Sequence, residues 1–589
     1  MKYQLIAPVT NESTLVQVLL NRGIRLNDIK EYTTATIKDI NEPELLGKDK
    51  LDRAVKMVAQ HIKNNDKTII IVDPDVDGNT SSALLLNYLH KMFPTWVENI
   101  EIFFHEGKEH GLQDCIKYII DNNFKFVLCP DAGSNDINEC KAIEDNGGEI
   151  LILDHHDMNK DKDSNYIQNY YGNIINNQYP FSNYPNKDFS GVGIVWQFCR
   201  YFDKVAGSNY ADDFLDLVAI GNCADMMDMR SIETSVVIHE GLKRIKNPYI
   251  YHMAQKNAFK LGEVITPIGA AFYIVPLLNA IQRSGTQEEK KLVFESMLDY
   301  KAFQRIPSTK RGHSLGEMEQ LVEQAVRVST NVKNRQTRVQ DASLEALERK
   351  IQDENLLNHK VLLILLEDSN IPAEVRGLIA NKFMAKYQRP CCLLTKGPNG
   401  YAGSARGCSL AGVNDFKQLC LDTGEIEYAV GHPNAYGLCI KKDNIQSFIQ
   451  KTDEALKDMS DEAIYYVDYL FEGQNCNPQI ILDIANMSEY WGMNMDEPLV
   501  AINKLKVTKD MVTIYDKKGL TIKITLNNGI SIMKFNADED LCDKLTTKNS
   551  GYIELDIVGK CNQNEWMGNI SPQIFIEDLN IIDSNKYYF

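Results

Sequence analysis

The clearest pattern in the chain is a short apolar run that ends in closely spaced acids. Residues 69–72 are continuously apolar and lead into Asp73, Asp75 and Asp77, after which a polar turn opens a second apolar run. This order predicts a buried strand, a tight turn and a helix. Carboxylates at alternate positions after a strand repel one another unless a cation neutralises them. The stretch therefore indicates either a site for a hard divalent cation or an acidic turn at a helix N-terminus.

Three further apolar runs also end in candidate ligands. The runs and the residues that follow them are 124–129 with Asp131, 149–153 with Asp154, His155 and His156, and 215–221 with Asp225. The intervening segments are long enough for helices, so the pattern predicts a βαβα fold with parallel strands. The carboxyl ends of such strands meet at one edge of the sheet, where ligands bind. One acid after a strand is commonly a turn residue. Four apolar runs that each end in candidate ligands instead favour a two-cation site of the kind used for phosphoester cleavage.

Length, cysteine use and charge limit the class of protein. The 589 residues predict roughly three or four domains, and the 13 cysteines form no CxxC pair, which is typical of a reducing cytoplasm. We expect no signal peptide at the start and no membrane span in the uncharged run 264–281, which contains two prolines. The net charge of −18 argues against a general polyanion-binding surface but leaves room for a local basic groove.

The acidic runs resemble the motifs of the DHH phosphoesterases, and within them the RecJ single-strand exonucleases. The matching segments are DPDVDG at 73–78, CPDAG at 129–133, the triplet Asp154-His155-His156, and AIGNCADMMDM at 219–229. The resemblance implies two divalent cations, Mn²⁺ or Mg²⁺, held by Asp75, Asp77, Asp131, His155 and Asp225. It also implies catalytic roles for Asp73, which would support the ions, and for His156, which would contact a non-bridging phosphate oxygen.

The resemblance continues outside these acids. The segments that carry it are LLNRGI at 19–24, NEPELLGKDK at 41–50, HEGKEHGL at 105–112, SGVGIVWQF at 190–198 and PLLNAIQR at 276–283. In the last segment Arg283 is retained as an expected phosphate contact, whereas Leu277 stands where the family has an arginine.

The second half of the chain begins with a charged, proline-free stretch at 313–352, which predicts a long exposed helix. Three later segments resemble the DHH-associated domain, namely IPAEVRGLIANKF at 371–383, GSARG at 403–407 and VGHPNAYG at 430–437. By themselves the glycine-rich turns are ordinary turns. Beside a metal phosphoesterase they imply a pocket for a terminal phosphate, built from Ser404, Arg406, His432 and Gly437, with Val430 and Tyr436 departing from the family pattern.

From residue 500 onward the chain contains five short β-rich runs, two of them joined by Asn527-Asn528-Gly529, a hairpin signal. Five runs favour a small OB-like barrel, a fold that binds single strands. Candidate contacts are Lys523, Lys534, Phe535 and Trp566, although aromatic residues of so small a domain are mostly core. The predicted organisation is α/β: 1–305 as N-terminal segment and DHH domain, 306–355 as connecting helix, 356–460 as DHH-associated domain, 461–499 as linker and 500–589 as barrel.

The function that this resemblance implies is metal-dependent 5′ to 3′ hydrolysis of single-stranded DNA to 5′-mononucleotides, in DNA repair or recombination. The expected partners are single-stranded DNA and a helicase or single-strand-binding protein, with a cytoplasmic location and no membrane. One alternative is a DHH phosphodiesterase that acts on short oligonucleotides or cyclic dinucleotides. A second alternative is an inactive replication scaffold, in which the ligands would be eroded.

Overall fold

The computed structural model describes residues 1–106, 109–161, 165–179, 182–367, 371–459, 463–516, 519–546 and 551–585. Residues 107 and 108 of the HEGKEHGL segment lie outside this set. The chain divides into two units: the first contains 22–334 and 488–496, and the second contains 1–21, 335–487 and 497–589. No helix among the described residues has the length and apolar character needed to cross a membrane.

A five-stranded parallel sheet forms the centre of the first unit. Its strand order is Glu101–Phe104, Thr68–Val72, Phe126–Pro130, Glu149–Asp154 and Asn173–Asn176. The strands Thr68–Val72 and Phe126–Pro130 are buried at every position, which is why they are apolar without alternation. The three predicted strands are therefore adjacent, and their carboxyl ends lie at one edge of the sheet as expected.

Helices make up most of the rest of the first unit. They are Ile29–Thr34, Lys48–Asn64, Val76–Met92, Pro94–Val97, Ile116–Asp121, Ile137–Asp145, Gly191–Ala206, Leu215–Ala224, Ile232–Lys243, Pro248–Lys256, Ala258–Leu261, Pro267–Tyr273, Val275–Ser284 and Gln287–Ser296. Short 3-10 turns lie at Pro43–Leu46, Ala211–Phe214 and Ser488–Tyr490, and the strands Arg305–Pro307 and Met318–Gln320 pair in antiparallel fashion.

The fourth apolar run, residues 215–221, was predicted to be a strand, and that prediction was wrong. Residues 215–221 lie in the helix Leu215–Ala224, and Asp225 is its C-terminal cap residue. The helix is buried from Asp216 to Cys223, so it is apolar on nearly all sides and shows no amphipathic period. A short apolar run of this kind does not distinguish a strand from a buried helix.

The long helix runs from Leu321 to Asp353 and contributes to both units. It begins later than the predicted residue 313, because Gly316 adopts a positive φ angle of 79°, which does not occur within a helix. Met318–Gln320 then pairs with Arg305–Pro307 before the helix starts.

The second unit contains a five-stranded mixed sheet in the region predicted as the DHH-associated domain. Its order is Ile426–His432, Ala435–Ile440, Gly400–Arg406, Cys391–Gly397 and Leu362–Leu366, with the last pair parallel. Its helices are Ala373–Tyr387, Phe416–Asp422 and Ile445–Ala455, with 3-10 turns at Leu356–Asn358, Ser409–Ala411 and Lys442–Asn444. Apolar clusters that include Phe383 and Phe416 cover this sheet.

A seven-stranded sheet contains the predicted β-rich runs. Its order is Tyr469–Glu472, Leu499–Thr508, Tyr552–Trp566, Asn569–Asn585, Ser531–Lys534, Thr521–Thr525 and Val512–Tyr515. The hairpin expected at residues 527–529 joins Thr521–Thr525 to Ser531–Lys534, which pair in antiparallel fashion. The helices here are Pro478–Ala485, Glu539–Leu545 and the 3-10 turn Lys509–Met511. The strand Tyr469–Glu472 falls in the segment predicted as a linker.

The first residues of the chain also belong to the second unit. The strand Lys2–Leu5 pairs in parallel with Ile464–Val467, and the helix Thr14–Asn21 packs against Pro478–Ala485. The N-terminal segment was predicted to accompany the DHH domain, so this pairing is a feature that local sequence patterns did not indicate.

Candidate metal centre

Every metal or catalytic residue predicted from the four apolar runs lies in one cluster of the first unit. Three groups of ligand atoms are present, each with its atoms within 4.8 Å of one another: Asp131 with His155 and His156, Asp77 with His155 and Asp225, and Asp73 with Asp75 and Asp131. Because the groups share Asp131 and His155, they form one continuous set of donors.

Helix N-termini hold two of the carboxylates. Asp75 caps the helix Val76–Met92, and its Oδ1 accepts a hydrogen bond from the backbone N–H of Gly78 at 2.8 Å. Asp77 accepts hydrogen bonds from the backbone N–H groups of Gly191 at 2.6 Å and Val192 at 3.2 Å, at the start of Gly191–Ala206. The N–H groups of a first helical turn have no partner within the helix, so they fix an anion well.

Asp131 is the most constrained member of the cluster. Its φ angle is 67°, in the left-handed region that side chains other than glycine rarely adopt. The residue is 1% exposed, and neither carboxylate oxygen has a hydrogen-bond partner among the described residues. A strained residue with two buried and unpaired oxygens marks a functional position, and here the missing partner fits a cation.

Three glycines let the backbone approach these carboxylates closely. A Cβ added at Gly191 would lie 2.2 Å from Oδ1 of Asp131, and one at Gly221 would lie 2.5 Å from Oδ1 of Asp77. A Cβ at Gly78 would lie 2.4 Å from Cβ of Asp73. The glycines of the DVDG, AIGN and SGVG segments are therefore part of the site, a role that sequence reasoning had not assigned to them.

His155 has the environment of a neutral metal ligand. Its Nε2 lies 3.3 Å from Oδ1 of Asp131, 3.4 Å from Oδ2 of Asp225 and 3.8 Å from Oδ2 of Asp77. Burial, together with the charge of His156, lowers the pKa of His155 to about 4. The imidazole is thus neutral near pH 7, which is the form that binds a metal ion.

His156 has the opposite environment, which Asp154 provides. Oδ1 of Asp154 lies 2.8 Å from Nδ1 of His156, and Oδ2 accepts the backbone N–H of Ser134 at 3.1 Å. Burial opposes the charged imidazole, but the charge and hydrogen bond of Asp154 outweigh it and raise the pKa of His156 to about 10. The signal for this role of Asp154, which sequence reasoning missed, is an acid directly before two histidines.

The remaining carboxylates repel one another. Burial and then the neighbouring Asp75 raise the pKa of Asp73 to about 8, and burial followed by Asp77 raises that of Asp225 to about 8. Burial also raises the pKa of Asp131 well above its usual range. Asp225 lies at a helix C-terminus as well, where the backbone dipole disfavours negative charge. Carboxylate oxygens and a neutral imidazole are suitable ligands for Mn²⁺ and Mg²⁺, so the residues present fit divalent cations.

The predicted phosphate-binding residues come together on three adjacent strands of the second unit. In the strand register Arg406 and His432 both face Ala435, and Ser404 faces Gly437. The helix that contains Gly377 packs closely over two of these side chains, because a Cβ added there would lie 2.5 Å from Nη2 of Arg406 and 3.5 Å from Oγ of Ser404.

The two departures from the family pattern in this sheet have different environments. Tyr436 is buried, and its hydroxyl donates a hydrogen bond to the carbonyl of Phe416 at 3.1 Å. Val430 is exposed on the edge strand. The tyrosine side chain at 436 thus belongs to the apolar core that packs against this sheet.

The other predicted contacts are exposed or half-buried. Arg283 lies on the helix Val275–Ser284, which packs against Val76–Met92. Trp566 is exposed where two long strands of the seven-stranded sheet meet, and half-exposed Phe535 contacts the ring of Phe575 edge-on at 5.2 Å. Lys534 donates a hydrogen bond to the carbonyl of Glu577 at 3.1 Å, and Lys523 lies on Thr521–Thr525. Their contact with nucleic acid stays a prediction.

Comparison with known proteins agrees with this arrangement. Residues 67–222 match the profile of the DHH family, N-terminal domain, and residues 467–578 match that of the RecJ OB domain. The chain is 33% identical over 592 residues to the putative SPbeta prophage-derived single-strand DNA-specific exonuclease YorK of Bacillus subtilis, covering 100% of this chain and 99% of that protein. This chain belongs to the RecJ-like branch of the DHH family. The predicted α/β fold with an OB-like C-terminal part is thereby confirmed.

A more distant relative and a solved structure are also similar to this chain. Single-stranded-DNA-specific exonuclease RecJ of Bacillus subtilis is 24% identical over 550 residues, which cover 90% of this chain and 63% of that protein. The crystal structure of RecJ in complex with Mn²⁺ from Thermus thermophilus has a TM-score of 0.69 at 17% identity, covering 97% of this chain and 76% of that one. A second structure of the same protein is a complex with Mg²⁺.

Proposed function

We propose that this chain is a metal-dependent exonuclease that hydrolyses single-stranded DNA from a 5′ end and releases 5′-mononucleotides. The observation that carries the proposal is the largely buried cluster in which Asp77, Asp131 and Asp225 surround His155 beside His156, with both oxygens of Asp131 lacking a hydrogen-bond partner among the described residues. Membership of the RecJ-like family supports it, since the related proteins are named single-strand-DNA-specific exonucleases.

The residues of the cluster would have two roles, which are metal binding and stabilisation of charge on the phosphate. Two divalent cations would be held by Asp75, Asp77, Asp131, His155 and Asp225, with Asp73 as support. Such ions supply Lewis acidity that stabilises charge on the attacking and leaving oxygens of a phosphodiester. His156, kept cationic by Asp154, would donate a hydrogen bond to a non-bridging phosphate oxygen as negative charge grows there.

The second unit would recognise the end of the strand. Ser404 and Arg406 offer a hydroxyl and a guanidinium on one strand, and His432 offers an imidazole on the edge strand beyond Ala435–Ile440. This combination of donors suits a terminal phosphate. The C-terminal sheet would bind the strand further along through exposed groups such as Trp566. We place the activity in cytoplasmic DNA repair or recombination, with a helicase or single-strand-binding protein as partner.

Two alternatives are less well supported. A phosphodiesterase for very short oligonucleotides or cyclic dinucleotides has no evident use for the C-terminal sheet that matches the RecJ OB domain. An inactive scaffold does not require the complete donor set that the cluster retains.

The decisive experiment follows product length from single strands labelled at either end, with Mn²⁺ or Mg²⁺. We expect mononucleotides to appear first from a 5′-labelled linear DNA strand, with little cutting of circular single strands or blunt duplexes. Asp77→Asn is the inactive control and Asp157→Asn, an exposed carboxylate outside the donor groups, is its matched partner. Rapid cutting of circular DNA, or first release from a 3′ label, would contradict the proposal.

A further inference from the structure

The first unit contains a pocket that is separate from the metal cluster. It lies between the start of the helix Lys48–Asn64 and the edge strand Asn173–Asn176. Its volume is about 610 Å³, which is within the usual range for a small-molecule site. The residues that give it chemical character are Lys50, Arg53, Gln168, Asn169, Tyr170 and Tyr179. None of them belongs to the metal cluster.

The wall of this pocket carries two cations, Lys50 and Arg53. Lys50 is half-buried, and its Nζ lies 3.7 Å from the centre of the Tyr179 ring. Burial and the charge of Arg53 both lower the pKa of Lys50. Within the described part of the chain neither side chain forms an ion pair, whereas neighbouring Lys48 pairs with Asp52 at 2.8 Å. A half-buried ammonium beside a guanidinium favours a bound anion, even with Asp49 at the same wall.

Other residues of the lining offer groups that suit a nucleobase. Tyr170 is 80% exposed and Tyr179 is 7% exposed, so one ring is free to stack while the other is fixed beneath Lys50. Base–aromatic stacking tolerates any base, and the amide of Gln168, which also lines the pocket, can hydrogen-bond to a base edge. The Nδ2 atom of Asn173 donates to the carbonyl of Lys50 at 3.0 Å, which joins the strand wall to the helix wall.

The pocket also adjoins the metal centre. Asn176 lines it, and the Nδ2 atom of this residue donates to the carbonyl of His156 at 3.0 Å and to Oγ of Ser134 at 2.9 Å. A ligand in the pocket would thus lie beside a side chain that holds the backbone of His156.

We infer that this pocket binds a nucleoside monophosphate, with the phosphate at Lys50 and Arg53 and the base against Tyr170. The same chemistry occurs in a free 5′-mononucleotide and in one internal unit of a DNA strand. The inference goes beyond the proposed activity, and its test needs no catalysis.

The test measures binding of dAMP, inorganic phosphate and deoxyadenosine to the full chain by calorimetry in EDTA, so that neither ion binding nor hydrolysis contributes. We expect dAMP to bind more tightly than phosphate or nucleoside alone. Lys50→Gln with Arg53→Gln should weaken dAMP binding about tenfold or more. The matched control is Lys56→Gln with Lys63→Gln, two exposed lysines of the same helix outside the pocket. Tyr170→Ala should remove the preference for dAMP over phosphate.

A second arm separates the two sources of the ligand. If the pocket holds part of a strand, the double variant also weakens binding of a thymidine oligonucleotide in EDTA, and dAMP competes with that oligonucleotide. If the ligand is a free mononucleotide, oligonucleotide binding is equal in both proteins. Undetectable dAMP binding, equal dAMP affinity of the double variant and the wild type, or loss of dAMP binding in Asp131→Asn would overturn the inference.

Discussion

Oδ1 of Asp154 lies 2.8 Å from Nδ1 of His156 and also accepts the backbone N–H of His155 at 2.7 Å. One carboxylate thus orients the ring of one histidine and the backbone of the other. The two rings carry different charge near pH 7, because burial lowers the pKa of His155 whereas the charge and hydrogen bond of Asp154 raise that of His156.

Asp154→Asn should lower kcat about 10- to 100-fold, as for partners that orient the residues of a metal site. The Michaelis constant should change little, because His156 is expected to act on charge that develops in the transition state. Steady-state kinetics on a 5′-phosphorylated single strand measures both, and Asp157→Asn is the control. A variant with normal kcat, or an equal loss in the control, would show that Asp154 does not position His156.

Asp131→Asn should not destabilise the metal-free protein, because it removes a buried carboxylate that is repelled by its neighbours. The free energy of unfolding in EDTA should be at least as high as that of the wild type. Added Mn²⁺ should stabilise the wild type, by about 2.7 kcal/mol when the ion is at one hundred times its dissociation constant, and the variant much less. Equal stabilisation of both proteins by Mn²⁺ would place the ions elsewhere.

Gly191→Ala should lower activity about 100-fold, the scale expected for a misplacement of roughly 1 Å at a reacting centre. The added methyl would lie 2.2 Å from Oδ1 of Asp131 and must displace that carboxylate. Turnover and Mn²⁺ affinity should fall together. Gly397→Ala is the matched control, since the nearest atom to its new Cβ is 3.5 Å away. Normal turnover of Gly191→Ala would mean that the carboxylate tolerates displacement.

Arg406→Ala should weaken activity on a 5′-phosphorylated strand about tenfold or more, and activity on a 5′-hydroxyl strand much less, because the guanidinium would hold the terminal phosphate. The ratio of kcat/KM for the two substrates measures this. Arg349→Ala, which removes an exposed arginine from the same unit, should leave the ratio unchanged. An equal loss on both substrates would assign Arg406 to another step.

The pair of Glu319 and Arg327 predicts a pH dependence of stability away from the active site. Arg327 donates from Nη1 and Nη2 to the buried Glu319 carboxylate at 2.7 and 2.6 Å. These bonds, followed by the backbone N–H of Thr309, lower the pKa of Glu319 from 4.5 to about 2. The stabilisation is therefore fully present above pH 4.5 and is lost as the pH falls toward 2.

Denaturant titrations of the wild type and Glu319→Gln should accordingly differ at pH 7 and converge as the pH falls from 4.5 toward 2. Arg327→Ala should lower the free energy of unfolding at pH 7 by about 1–3 kcal/mol, the range for a buried acceptor left unpaired. Arg349→Ala, whose pair with Glu345 is exposed, should cost less than about 1 kcal/mol. A constant difference at every pH would contradict the assignment to Glu319.

The sequence predicted the ligands of the metal cluster wherever a ligand directly follows a strand along the chain. Asp75, Asp77, Asp131 and His155 could be placed together because each follows an apolar strand, and parallel strands end at one edge of a sheet. The membership of the RecJ-like DHH family, read from the same motifs, is confirmed.

Other features depend on contacts between distant parts of the chain. The helix that ends at Asp225 was taken for a strand because burial on all sides removed its period. The close approach of Gly191 to Asp131 joins residues of different elements, so no local pattern shows it. The role of Asp154 similarly requires the fold of the turn that brings the N–H of Ser134 to its second oxygen. The exact domain boundaries stay predictions.

The pairing of Lys2–Leu5 with Ile464–Val467 has a consequence for synthesis on the ribosome. Tyr3 shares a hydrogen bond with Asn503, 500 positions later, so at 5–20 residues per second its partner emerges about 25 to 100 s after it. Residues 22–334 form most of the first unit and emerge long before that time. The nascent chain can therefore form the parallel sheet that carries the metal cluster while its first strand is still unpaired, because the partner strand has not yet been translated.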